Sequence, residues 1–97
     1  MPRLLVIKGA DEGKQFDLTD PVVSLGRDAS NHIRLHDTEV SRRHAEVRQE
    51  GAAYWVVDLD STNGMEVNGR RQKRVKLRQG DRITLGSTEL VFRRETE

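Results

Sequence analysis

Three short polar stretches hold the residue types that could do chemistry: Gly26-Arg27, Ser41-Arg42-Arg43-His44 and Ser61-Thr62-Asn63-Gly64. Together they offer what a phosphate group needs. A guanidinium forks onto two oxygens, hydroxyls and backbone N–H groups donate to the rest, and glycines let the main chain come close. If the ends of the strands carrying them cluster, two arginines and two hydroxyls converge on one point. Two rival chemistries use the same residues. Ser41, His44 and Asp58 are the types of a hydrolytic triad, but a nucleophilic serine needs a strained elbow and an oxyanion hole. No Gly-x-Ser-x-Gly occurs here. His32 and His36 lie four apart in a β-like stretch with no third ligand, which argues against a metal site. No catalytic residue, metal or cofactor is therefore expected, and His44 reads as a hydrogen-bonding staple of its loop.

The elements that must position these residues follow from size and patterning. Ninety-seven residues suit one domain, 1–97, in which residues 93–97 read as the start of a linker. There is no cysteine, so no disulfide framework or thiolate site exists, which suits a reducing, cytoplasmic setting. Seventeen basic residues stand against sixteen acidic ones, and the signs are mixed except for the run Arg70, Arg71, Lys73, Arg74, Lys76 and Arg78. That balance lacks the surplus of a dedicated nucleic-acid binder, and the run reads as a solvated face, with contact to acidic partners as the lesser reading. No apolar stretch approaches a membrane span, and Leu4-Leu5-Val6-Ile7 is too short for a signal peptide.

Apolar residues fall in short alternating runs. Strands are expected at residues 4–8, 15–18, 22–27, 33–35, 45–49, 53–59, 66–67, 75–77, 82–85 and 89–92, with Asn68-Gly69 as a hairpin turn. Many short strands at this spacing indicate an all-β fold, a sandwich or a barrel. Residues 28–32, 36–44 and 60–65 break the rhythm, and long polar loops on a rigid β scaffold are where binding residues sit.

The ordered pattern is more specific than the composition. Gly26-Arg27, then Asn31, Ile33, Leu35 and Asp37, then Val40-Ser41-Arg42-Arg43-His44-Ala45 resembles the core signature of forkhead-associated (FHA) domains. The likeness continues through Asp58-Leu59, Ser61-Thr62-Asn63-Gly64 and Val67-Asn68-Gly69 to Leu77, Gly80-Asp81, Ile83 and Leu85-Gly86. It implies a β-sandwich of two twisted sheets, about eleven strands in all, that binds phosphothreonine peptides through loops at one end. By position, Arg27 would contact the phosphate, Ser41 would donate its hydroxyl to it, and Arg42 would hold phosphate or peptide backbone. Thr62 would donate near the phosphate and Asn63 would bond the peptide main chain. Gly26, His44, Gly64 and Asn68 would shape these loops.

The expected partner is a phosphothreonine-containing protein in Ser/Thr kinase signalling, bound by a monomeric domain of this chain or of a larger protein. Nucleic acid and membrane are not expected partners. A phospho-independent assembly module is the alternative, and a nucleic-acid-binding barrel is disfavoured by having only four aromatic residues. Two departures concern the peptide side of the site. Met65-Glu66 replaces the family's Thr and bulky residue after Asn63-Gly64. Glu39 stands where some relatives place a basic residue, so acidic residues after the phosphothreonine should be disfavoured. Some related small bacterial proteins carry a phosphorylatable N-terminal tail that folds back on this site. The first expected strand starts about three residues in, so no such tail is expected on this chain.

Overall fold

Alternation of apolar and polar side chains puts one face of each strand inward, and two such faces need each other. The computed structural model of the chain describes residues 1–94, among which there are eleven strands and no helix. In chain order they are β1 (Arg3–Lys8), β2 (Gln15–Asp17), β3 (Val22–Gly26), β4 (Ile33–Arg34), β5 (Ala45–Glu50), β6 (Ala53–Asp58), β7 (Met65–Val67), β8 (Arg70–Arg71), β9 (Arg74–Lys76), β10 (Arg82–Leu85) and β11 (Thr88–Arg93). They form a six-stranded sheet, β2-β1-β11-β10-β7-β8, and a five-stranded sheet, β4-β3-β5-β6-β9. The fold is thus a β-sandwich rather than a barrel. Strand pairs are antiparallel except β3 with β4.

The inward residues are those the period of two selects. Tyr54, Val56 and Asp58 of β6 are buried while Ala53, Trp55 and Val57 are only partly so. Leu4, Val6, Leu25, Val47, Ile83, Leu85, Leu90 and Phe92 join Val56 in the core between the sheets. Tyr54 packs on Phe92 with ring centroids 5.9 Å apart. Trp55 faces outward under the guanidinium of Arg74, 4.0 Å from its ring centroid.

Ten strands lie within one residue of the segments expected from alternation. The eleventh, β8, opens the basic run, where two exposed arginines give no apolar alternation to read. Its turn makes it. Asn68 and Gly69 both have positive φ (52° and 81°), the geometry of a tight primed hairpin, and Val67 pairs with Arg70 and Glu66 with Arg71. At the C-terminus, order extends past the expected linker start. Arg93 closes β11, and Arg94 donates its main-chain N–H to Gln79 Oε1 and lies over Tyr54. Residues 95–97 of that expected linker lie outside the described residues. Among the described residues no helix is long and apolar enough to cross a membrane.

Register decides which strand ends meet. Leu25 pairs with Ala45, and Ala45 with Asp58, so the end of β3, the start of β5 and the end of β6 share one edge of the five-stranded sheet. In the other sheet Met65 pairs with Leu85, bringing the start of β7 beside the turn after β10. All three long polar loops open at this end.

Candidate functional site

Gly26 is a glycine because of what lies beside it. A Cβ there would stand 2.1 Å from the carbonyl oxygen of Arg42, so only a bare Cα lets the β4–β5 loop close onto the end of β3. The Arg42 carbonyl is then held from two sides, by Asn31 Nδ2 at 2.7 Å and by the N–H of Asp28 at 3.2 Å. Arg27 follows directly. Its N–H donates to Ser41 O at 3.0 Å and its Nε to Val40 O at 3.0 Å. One of five guanidinium donors is therefore spent on positioning, and the four on the outer nitrogens face solvent. The Arg42 side chain is exposed and makes no hydrogen bond or ion pair within the described residues.

Ser41 and Thr62 meet across the loops. The N–H of Thr62 donates to Ser41 Oγ at 3.1 Å. An oxygen that accepts there keeps its own proton for another acceptor. Thr62 is exposed, and its hydroxyl has no partner among the described residues. Behind them His44 is fully buried, with Nδ1 accepting from the N–H of Ser41 at 3.1 Å and Nε2 2.7 Å from Gly64 O. Nδ1 as acceptor places the ring proton on Nε2, which donates to Gly64. His44 thus ties the Ser41 loop to the Gly64 loop. The serine hydroxyl makes no bond to the imidazole, so the pair is not a nucleophile and base.

Asn63 donates Nδ2 to Glu39 O at 2.8 Å, a further tie between the loops, and leaves Oδ1 free to accept. Gly64, at φ 79°, turns the chain into β7. Arg27, Ser41, Arg42, Thr62 and Asn63 are thereby gathered at one end, with Gly26, His44 and Gly64 beneath them. Asn68 is the correction. It sits beyond the opposite end of β7, where Nδ2 donates to Asp81 Oδ1 at 3.0 Å and Oδ1 accepts from the N–H of Arg82 at 2.9 Å. It shapes the β7–β8 hairpin and the turn before β10, not the three polar loops at the other end.

Several supports went unassigned in the sequence. Buried Asp58 accepts from Ser61 Oγ at 2.6 Å and from the Ser61 N–H at 3.2 Å, while Ser61 Oγ accepts from the Gly64 N–H at 3.0 Å. The Asp58-x-x-Ser61 spacing is a turn signal that could have revealed this. Asn31, buried under the Arg42 carbonyl, stood in the ordered pattern of the sequence with no role assigned. Charge is also arranged. Hydrogen bonds from Ser30 lower the pKa of Asp28, helped by the nearby charge of Arg42. Burial would raise the pKa of Asp37, but hydrogen bonds from Thr88 Oγ1 and the N–H groups of Glu39 and Ser87 outweigh it and hold the carboxyl low. Among the described residues no group of three or more His, Cys, Asp or Glu could hold a metal ion.

Comparison with known proteins agrees with this geometry. The family model described as FHA domain matches residues 23–86. The glycogen accumulation regulator GarA of Mycolicibacterium smegmatis is 44% identical over 90 residues, covering 92% of this chain and 57% of that protein. The oxoglutarate dehydrogenase inhibitor of Corynebacterium jeikeium is 43% identical over 90 residues, covering 92% and 62%. The chain thus spans about three-fifths of the length of these relatives. A solved structure concerned with phosphothreonine-dependent FHA domain interactions superposes with a TM-score of 0.91 at 35% identity, over 99% of this chain and 98% of the other. With the model spanning both sheets and all three loops, the chain belongs to the FHA domain family.

Proposed function

We propose that this chain is a non-catalytic module that binds phosphothreonine-containing protein segments, acting in the cytoplasm downstream of Ser/Thr kinases. The observation that carries the reading is the Ser41 hydroxyl. It accepts from the Thr62 N–H and so keeps its own proton for another acceptor, while the Arg27 guanidinium is pinned through Nε to the carbonyl of the preceding residue, Val40. Arg27, Ser41 and Thr62 then present donors, and no acceptor with a free charge, to a group that is all acceptors. Arg42 adds an exposed cation at the rim, and Asn63 Oδ1 can take a peptide N–H.

Hydrogen bonds to charged groups contribute roughly 1.5–3 kcal/mol each. Three or four, less the cost of ordering a peptide, support binding of about −8 kcal/mol, in the micromolar range. The relatives' descriptions as a regulator and as an enzyme inhibitor support a binding role of this kind in a longer protein. Titration calorimetry with paired phosphorylated and unphosphorylated threonine peptides tests it. Only the phosphorylated member should bind, and Arg27→Ala, still folded, should lose measurable binding. Equal binding of both peptides would favour the phospho-independent assembly module instead.

A further inference from the structure

Gly64 seats a side chain as well as turning the backbone. A Cβ on it would lie 2.6 Å from Arg71 Nη2, 2.7 Å from Cζ and 3.0 Å from Nε, so the guanidinium rests flat on the bare Cα. Across the β7–β8 ladder the neighbour of Arg71 is Glu66, the obvious counter-charge. The two do not pair. The Arg71 side chain is exposed and makes no hydrogen bond or ion pair within the described residues, and neither does that of Glu66. A free cation is therefore held two residues from Thr62, which at full extension is about 7 Å of chain.

Two hollows meet at Gly64. One, of about 300 Å³, is lined by Asp58, Gly64, Met65, Arg71, Gln72 and Lys73. The other, of about 240 Å³, lies toward Glu39, Asn63, Glu66 and Thr84. Lys73 spends its charge on Asp58 and Asp60, at 3.4 and 3.5 Å. Arg71 has no such outlet. On the other side Glu39 Oε1 accepts from Ser87 Oγ at 2.8 Å, and Glu66 is unspent. Arg71 is thus an unspent cation on one flank of Gly64, where Lys73 is opposed by Asp58 and Asp60, while the other flank is anionic.

We propose that Arg71 reads a second acidic group on the bound segment, a carboxylate or a second phosphate two to four residues from the phosphothreonine, on the Lys73 flank of Gly64. The Glu39–Glu66 flank repels the same group. This rests on the phosphothreonine reading and adds a positional rule to it. A guanidinium lying flat on a glycine keeps its outer edge free for a bidentate contact, which a flexible, fully solvated arginine would have to organise first.

The test measures fluorescence anisotropy with a parent peptide holding one phosphothreonine. Companion peptides carry one Asp, or one further phosphothreonine, at each position within four residues on either side. The expected result is tighter binding for acids on one side only, roughly three- to fivefold for Asp and about tenfold or more for phosphate. In Arg71→Gln the ratio of companion to parent affinity should fall to about one. In Arg70→Gln, which removes an exposed cation of the same run, the ratio should persist. Parent bound with no gain at any position, or a gain that survives Arg71→Gln, overturns the proposal and leaves the phosphothreonine reading intact. Equal loss in both variants overturns the assignment to Arg71 in favour of general attraction by the basic run. No binding of the parent overturns both readings.

Discussion

Replacing His44 by Phe separates the staple from the side chains it positions. The ring is fully buried and Phe is of similar size, so packing is nearly conserved while both polar bonds vanish. The carbonyl of Gly64, bonded at 2.7 Å in a buried setting, would lose its imidazole donor. An unsatisfied buried group costs about 1–3 kcal/mol. The Ser41 N–H is only partly buried and can recover some of its loss from water, so about 0.5–1 kcal/mol is added there. The sum, about 1.5–4 kcal/mol, is a large share of the roughly 5–15 kcal/mol expected for a domain of this size. Urea denaturation followed by Trp55 fluorescence should show the midpoint falling by roughly 1–3 M. Phosphopeptide affinity, measured at low temperature on the folded fraction, should fall at least about tenfold, because Ser41 and Gly64 are no longer tied. His44→Gln, which can still donate toward Gly64, should recover part of the stability. A His44→Phe protein with wild-type midpoint and wild-type affinity would refute the staple.

Gly26→Ala would drive a methyl onto the Arg42 carbonyl and break its bonds to Asn31 and Asp28, costing about 1–3 kcal/mol in stability and weakening phosphopeptide binding. Wild-type affinity in calorimetry would count against the close approach as the reason for glycine. Acid should destabilise the fold through Asp11 and Asp37, whose folded pKa values lie below the ordinary 3.8. Burial of Asp11 acts to raise its pKa but is outweighed by bonds from His36 and Lys14. Since both are depressed, their stabilisation is present above the unfolded pKa and is lost as pH falls through the folded value. The urea midpoint should therefore hold above about pH 5 and drop below about pH 4, less steeply in Asp37→Asn. A midpoint that stays level down to about pH 3 would contradict this.

Much of the molecule was readable along the chain. Alternation set ten of the eleven strands, because a period of two is a local property of neighbouring side chains. Arg27, Ser41, Arg42, Thr62 and Asn63, which we propose as the phosphopeptide contacts, were readable as types in an ordered pattern. Their meeting was not, since it depends on Leu25 pairing with Ala45 and Ala45 with Asp58, and register is a long-range choice among many that local sequence permits. The same holds for finer points. That Ser41 Oγ is already an acceptor, with its proton left for another group, follows from the Thr62 N–H arriving from a loop 21 residues away. That Asn68 braces a different turn, and that Arg71 rests on Gly64 instead of pairing with Glu66, follows from how β7, β8 and β10 lie together. The sequence by itself determined the strand faces and the chemistry on offer, because both reside in single residues and near neighbours. Only the tertiary structure decided which donors are already satisfied and which remain for a ligand, because a hydrogen bond across the sandwich belongs to two distant residues at once.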